Sequence, residues 1–289
     1  MTALFGDRLV KAQDACSTPA CVGVDPHPGL LPETLVADQG DGPGAWRTFI
    51  EGLLDACAGT VPLVKVQVAF FEAMGPEGMA LYADTLVAAR DRGLLTIGDI
   101  KRGDIGSTSA AYAAAHLGRD APFPADAVTL HPWLGTDSLE PFLEACTKTG
   151  GGAFVLVRTS NPSGSEFQDP ETGGLAVRVA EAVDRWGADL VGDAGWSSVG
   201  AVVGATRPEE IPLLRDAMPR APLLLPGVGA QGGDAGALGA AFDEAGHGGI
   251  ITASRSVMNA GTQGGAEWRE SLSEAVAAFA RDSSGAVTA

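Results

Sequence analysis

The sequence predicts an α/β chain folded as one closed (β/α)8 barrel, the TIM-barrel architecture, and three observations carry that prediction. Eight short apolar runs recur along the chain, and stretches of helical pattern separate them. The first run ends Val22-Gly23-Val24-Asp25-Pro26-His27, not in the GxGxxG turn that an open dinucleotide-binding sheet would require. The length, 289 residues, accommodates eight strand–helix units and a sizeable core.

Strands are expected at 21–24, 63–67, 94–99, 127–130, 153–157, 199–203, 222–225 and 249–253. Each is a near-continuous apolar run, as a strand buried on both faces requires. Amphipathic or alanine-rich helical patterns fall at 76–92, 108–117, 137–148, 175–186 and 233–245. Strand alternating with helix gives a parallel sheet. Two long segments read as irregular. The first, 28–43, is rich in Pro, Gly and Asp. The second, 161–174, reads NPSGSEFQDPETGG, follows the fifth strand and reads as a lid over the catalytic face. Residues 1–280 read as a single catalytic domain, and 281–289 as a disordered tail.

Composition narrows the function. The formal net charge is -17, which argues against nucleic acid or an anionic membrane as the main partner. No apolar run approaches the roughly 20 residues of a membrane span, and residues 1–11 lack a signal-peptide pattern. A cytoplasmic protein is expected. Cys16, Cys21, Cys57 and Cys146 form no CxxC pair and match no zinc spacing, so reduced, partly buried thiols are expected. His27, His116 and His247 show no metal-ligand spacing either.

The chemistry concentrates in Asp99-Ile100-Lys101-Arg102-Gly103-Asp104-Ile105-Gly106-Ser107-Thr108, directly after the apolar run Leu94-Leu95-Thr96-Ile97. If the strand continues, Asp99 and Lys101 share one face, with Asp104 just past the strand end. Asp25 follows the first strand and Lys65 lies in the second. A barrel sets the ends of neighbouring strands side by side, so Asp25, Lys65, Asp99, Lys101 and Asp104 are expected to converge. Such charges are costly to bury unless paired. An ammonium among carboxylates suits expulsion of carbon dioxide and protonation of the carbon left behind.

A second cluster is built for an anion. Pro226-Gly227-Val228-Gly229-Ala230-Gln231-Gly232-Gly233 follows the seventh strand, and Thr252-Ala253-Ser254-Arg255-Ser256 ends the eighth. Glycine-rich turns and helix N-termini point N–H groups at phosphate, and arginine adds a bidentate fork. A third set, Arg158-Thr159-Ser160-Asn161 and Thr129-Leu130-His131-Pro132, offers hydroxyls and amides to the polar edge of a ring. His131 is expected only to hydrogen-bond a loop.

With these residues in view, the chain closely resembles the orotidine 5′-phosphate decarboxylase family, in its longer bacterial branch. The segment D-I-K-R-G-D-I-G-S-T is similar to the family's D-x-K-x-x-D-I-x-x-T signature. V-G-V-D-P-H, K-V-Q-V-A-F-F-E, R-T-S-N-P-S, P-G-V-G-A-Q-G-G and S-R-S stand in the family's order, across residues 21–258. His131 departs from the asparagine more usual there. The resemblance implies conversion of orotidine 5′-monophosphate to uridine 5′-monophosphate, the last step of de novo UMP synthesis. It implies a homodimer with shared sites, no metal and no organic cofactor. Lys101 would protonate C6 and Asp99 would press against the substrate carboxylate. Asp104, with Ile105 and Thr108, would enter the partner subunit's site. Asp25 and Lys65 would bind the ribose hydroxyls, and Ser160 the pyrimidine amide edge. Gln231 and Arg255, with backbone amides near Gly229 and Ser254, would hold the phosphate in the loop that Pro226 opens.

Two other readings of the residues remain open. A magnesium-dependent sugar-phosphate decarboxylase or aldolase of the same barrel type shares Asp-x-Lys-x-x-Asp, but it needs a second carboxylate on strand two, where this chain has Lys65. A non-catalytic phosphate-ligand-binding barrel explains the glycine and arginine cradle and leaves the caged ammonium without a purpose.

Overall fold

Eight parallel strands close on themselves in sequence order. They are β1 Ala20–Val24, β2 Leu63–Gln67, β3 Leu95–Arg102, β4 Ala127–Leu130, β5 Gly152–Arg158, β6 Val199–Val203, β7 Leu223–Pro226 and β8 Gly249–Ala253. The seam is the β1–β8 pair, with Ala20 opposite Ile251 and Val22 opposite Ala253. The computed structural model describes residues 3–169, 174–228 and 234–287. Each apolar run expected to be a strand is one. The barrel follows from side chains that are apolar on both faces, since helices cover the outside while the inside fills itself.

The helices are α1 Phe5–Cys16, α2 Glu33–Gln39, α3 Pro43–Cys57, α4 Val68–Glu72, α5 Gly75–Asp91, α6 Gly106–His116, α7 Thr136–Thr149, α8 Ser165–Gln168, α9 Leu175–Gly187, α10 Ile211–Ala217, α11 Arg255–Gln263 and α12 Trp268–Gly285. Three expectations need correction. The segment 28–43 is not wholly irregular, because α2 forms inside it and buries Leu35 beside Leu30 and Leu31. The helix expected over 233–245 is instead a 3-10 helix at Ala235–Ala241. Gly236 and Gly239 weaken an α-helix there by about 1 kcal/mol each, and the Asp234 side chain caps the turn by accepting the Gly236 N–H at 3.0 Å. The supposed tail from 281 is helical through Gly285, as the last turns of α12. Leu272, Val276 and Ala280, four apart, bury one face of that helix, and Ser283 is buried with them. Thr18 Oγ1 donates to the Ala280 carbonyl at 2.8 Å and ties the helix to the start of β1.

Inside the barrel the period of two along each strand builds layers. Cys21, Leu63, Ile97, Ala127, Phe154, Val202, Leu224 and Ile250, one from each strand, form an apolar layer. Phe5 and Leu9 of α1 join it from below, and the Phe5 ring meets Phe154 edge to face with centroids 5.9 Å apart. Two residues further along β2, β3, β4 and β8 stand Lys65, Asp99, Thr129 and Thr252. A polar layer therefore rests on a sealed apolar floor. Each large floor side chain contributes about 1.5–3 kcal/mol by burial.

Phe154 is fully buried in the centre of this floor. Phe154→Ala is expected to cost about 3–5 kcal/mol, read as a lower urea midpoint at unchanged slope. A cost under about 1 kcal/mol would mean that the floor refills itself and is not close-packed.

Candidate active site

A cavity of about 280 Å3 opens at the C-terminal ends of the strands, directly above the polar layer. Asp25, Lys65, Gln67, Asp99, Lys101 and Thr129 line one side of it, and Ser160, Pro226, Ser254 and Arg255 line the other. Asp99 sits at its base, 4% exposed. Both carboxylate oxygens are fully engaged. Oδ1 accepts from Lys101 Nζ at 2.5 Å and from Thr129 Oγ1 at 2.8 Å. Oδ2 accepts from Lys65 Nζ at 2.7 Å and from Gln67 Nε2 at 2.9 Å. Lys65 Nζ also lies 3.9 Å from Asp25 Oδ1. That Asp25 oxygen is buried without a hydrogen-bond partner among the described residues.

The local backbone explains how Lys101 reaches back to Asp99. In the β3–β4 ladder Gly98 stands opposite Val128 and Arg102 opposite Leu130, so residues 99–101 face Thr129 alone. This bulge turns the Lys101 backbone into the left-handed region, φ 45°. A non-glycine residue held there costs about 1–3 kcal/mol. Thr129 Oγ1 accepts the Lys101 N–H at 3.0 Å in place of a ladder carbonyl.

The charges stabilise one another. Burial alone would raise the Asp99 pKa, but the Lys65 and Lys101 ammonium groups and their hydrogen bonds outweigh it and hold the carboxyl well below the usual range. Burial alone would lower the Lys65 pKa, and the Asp99 and Asp25 charges with the Asp99 hydrogen bond reverse that and raise it. Lys65 and Asp99 are thus charged across the neutral range.

The opposite rim is set by close approach of β1 to the end of β8. A Cβ on Gly23 would stand 1.8 Å from Ser254 Oγ, so only glycine fits. Ser254 precedes α11 and Arg255 is its first residue, which puts a helix N-terminus and a guanidinium at the cavity. Gly227, φ 107°, turns the chain out of β7 with Val228 beside it. Gly229 and Gln231 lie outside the described residues.

Asp104, Ile105 and Thr108 are not brought to this cavity. They lie where β3 passes into α6, with the Asp104 carboxylate accepting the Ile105 N–H at 2.8 Å and Ile105 itself 56% exposed. His131 also stands off the cavity, and its backbone N–H donates to the Arg102 carbonyl at 2.9 Å. Arg158 does not face a ligand. It is buried in ion pairs with Asp169 and with Glu210, where Nε lies 2.8 Å from Oε2, and so anchors the segment after β5. That segment, expected to be a lid over 161–174, forms a 3-10 turn at Pro162–Gly164 and then α8, while 170–173 lie outside the described residues. Gln67 was not singled out in the sequence, although its position two beyond Lys65 put it on the same face. Thr129 lines the cavity, and its hydroxyl is tied to Asp99 and the Lys101 N–H.

Among the described residues no three His, Cys, Asp or Glu side chains cluster as a metal site. Burial pushes the Cys21 and Cys146 thiols up to about 12, which makes them unreactive. No helix is long and apolar enough to cross a membrane among the described residues.

The chain as a whole is similar to known proteins. The family model described as Orotidine 5′-phosphate decarboxylase / HUMPS matches residues 19–270. The chain belongs to this family. An orotidine 5′-phosphate decarboxylase of Rhodopirellula baltica is 45% identical over 265 residues, covering 88% of each chain. That of Deinococcus radiodurans is 41% identical over 261 residues, covering 90% of this chain and 91% of its own. A crystal structure of a Streptomyces avermitilis protein assigned as an orotidine 5′-phosphate decarboxylase superposes with a TM-score of 0.84 at 37% identity, covering 99% of this chain and 97% of that one. Membership in the family rests on most of the chain, from β1 into α12, and not on the signature alone.

The balance at Asp99 has a pH signature. Its folded pKa is depressed, so its stabilising contribution is complete above the unfolded carboxylate value of about 4. It declines as pH falls from there through the folded value. Asp99→Asn leaves two ammonium groups without their carboxylate and is expected to cost about 3–5 kcal/mol at neutral pH. Urea unfolding of both proteins should show a stability gap that is flat above pH of about 5 and narrows below about 4. A gap that widens on acidification would contradict this electrostatic account.

Proposed function

We infer that this protein decarboxylates orotidine 5′-monophosphate to uridine 5′-monophosphate, closing de novo UMP synthesis. The observation that carries the inference is the Asp99 carboxylate held between Lys65 and Lys101 at the base of a cavity whose far rim is the Arg255 helix end. The family and its curated relatives named orotidine 5′-phosphate decarboxylase agree with that activity.

The chemistry follows from the charges. The bond from C6 to the carboxylate breaks, carbon dioxide leaves, and the electron pair remains on C6. No carbonyl adjoins C6 to delocalise that pair as a simple enolate, so fixed charge must stabilise it. The Lys101 ammonium supplies the charge and then the proton that forms the new C6–H bond. Asp99 faces the substrate carboxylate and disfavours the bound ground state, or acts as part of a preorganised field for the carbanion. Either role requires a carboxylate that does not move, which four hydrogen bonds provide. One general acid contributes about 10²–10⁴-fold, so the field must supply the rest.

Asp25, whose Oδ1 has no hydrogen-bond partner among the described residues, and Lys65 suit the ribose hydroxyls. Ser160 suits the amide edge of the pyrimidine. Arg255 and the amide near Ser254 suit the phosphate, with Gly229 and Gln231 assigned there from the family pattern. The phosphate is far from C6, so its binding energy can be used to close the site over the reacting end. Asp104, Ile105 and Thr108 are assigned to the partner's site in a homodimer. Their distance from their own cavity and the exposure of Ile105 support that assignment. The reading places the enzyme in the cytoplasm, with a nucleotide as its substrate.

The magnesium-dependent alternative within the same barrel type is disfavoured at β2. Lys65 Nζ lies 2.7 Å from Asp99 and repels a cation where that chemistry needs a carboxylate. A non-catalytic phosphate binder would not turn substrate over.

Loss of ultraviolet absorbance from orotidine 5′-monophosphate, in the presence of a chelator, is the deciding assay. Lys101→Ala should lower turnover by at least about 10²-fold while UMP binding persists. Near wild-type turnover in that variant would remove Lys101 from the role of acid, and chelator-sensitive turnover would restore the magnesium reading.

The shared site predicts complementation. Inactive Lys101→Ala and inactive Asp104→Ala subunits are mixed and exchanged, with mixed dimers verified by mass. About half the dimers are then mixed, each with one intact site, so about one quarter of wild-type activity should return. Complete exchange without recovery would assign Asp104 to its own subunit.

A further inference from the structure

We propose that Thr129 is a positioning residue whose hydroxyl fixes the Lys101 ammonium in its place for proton transfer. The inference rests on the decarboxylase reading above and concerns how that acid is aimed.

The hydroxyl is the closing link of a small ring. The Lys101 backbone N–H donates to Thr129 Oγ1 at 3.0 Å, and the same Oγ1 donates its proton to Asp99 Oδ1 at 2.8 Å. Asp99 Oδ1 also accepts from Lys101 Nζ at 2.5 Å. Both ends of Lys101 are thus referred to one carboxylate oxygen, the main chain through Thr129 and the ammonium directly. A hydroxyl is suited to this, because it accepts and donates at once.

The need for the link lies in the bulge. Residues 99–101 have only Thr129 opposite them, so the regular ladder provides no carbonyl for the Lys101 N–H. The Lys101 backbone is left-handed at φ 45°, a conformation that persists only where its surroundings impose it. Thr129 is 1% exposed, so water cannot readily replace its hydroxyl. By contrast the Lys101 side chain is 42% exposed and is mobile unless held at its base and tip. Thr129 shares the cavity wall with Leu156, remote in sequence and strand from the Arg255 rim, so it should influence the acid more than the affinity for phosphate.

The test compares Thr129→Val, which keeps the shape and loses the hydroxyl, with Thr129→Ser, which keeps the hydroxyl. Thr129→Val is expected to lower kcat by about 10- to 100-fold with KM for orotidine 5′-monophosphate and affinity for UMP changed less than about threefold. Thr129→Ser should recover most of kcat. Exchange of the Lys101 amide proton, followed by NMR in the UMP complex, should be faster in Thr129→Val and near wild type in Thr129→Ser. A kcat in Thr129→Val within about twofold of wild type overturns the proposal. So does a parallel loss of kcat and UMP affinity, or failure of serine to restore turnover, since each marks a merely structural threonine. If Thr129→Val does not fold, Thr129→Cys, whose thiol is a poor donor and acceptor, takes its place against Thr129→Ser. If the wild-type protein itself shows no turnover, the decarboxylase reading fails separately. The ring is then judged on amide exchange alone, where equal rates in all variants overturn it.

Discussion

The structure depends on keeping one carboxylate ionised and immobile inside a protein. Asp99 is almost wholly buried, and an isolated charge there would be neutralised before it could act. Four donors prevent that, and two of them are ammonium groups. The four partners come from three strands: Lys65 and Gln67 from β2, Lys101 from the bulge in β3, Thr129 from β4. No single local segment can assemble the set. It exists only when the strands are in register around a closed barrel, so the chemistry is a property of the fold.

The same register separates binding from chemistry. Alternation along the strands puts an apolar layer beneath the charged one, and α1 seals it with Phe5 and Leu9. Low polarisability below and fixed charge above strengthen electrostatic effects on anything bound between them. The far rim, built by Ser254 and the start of α11 against Gly23, is on the other side of the cavity. A ligand that spans both engages an anion cradle at one end and the caged ammonium at the other.

Much of this was legible in the sequence because it depends on period and order. The strands were readable from apolar runs, and Asp99, Lys101 and Lys65 from their positions near strand ends. Gln67 was also within reach by counting two from Lys65. The role of Thr129 was not, because a bulge in β3 has no distinctive residue pattern, and the left-handed residue it creates is a lysine and not a glycine. The 3-10 helix at Ala235–Ala241 escaped because alanine-rich composition argued for a helix while two glycines worked against it. The end of α12 is not legible because serine, glycine and alanine look like a tail. Its burial against the start of β1 comes from tertiary packing that no local signal carries. Asp104, Ile105 and Thr108 illustrate another limit, since proximity in sequence to Lys101 does not bring them to the cavity that Lys101 lines.

The first and last helices meet on the side away from the cavity. Ser284 Oγ donates to the Ser17 carbonyl at 2.8 Å, so the end of α12 lies against the end of α1 beneath the barrel. α1 and the end of α12 are therefore both on the side away from the mouth of the cavity. A covalent appendage at either end, such as a neighbouring catalytic unit in a longer polypeptide, would hang from the underside and leave diffusion into the mouth unobstructed. The topology thus leaves this barrel free to be joined in tandem without rebuilding its reacting face.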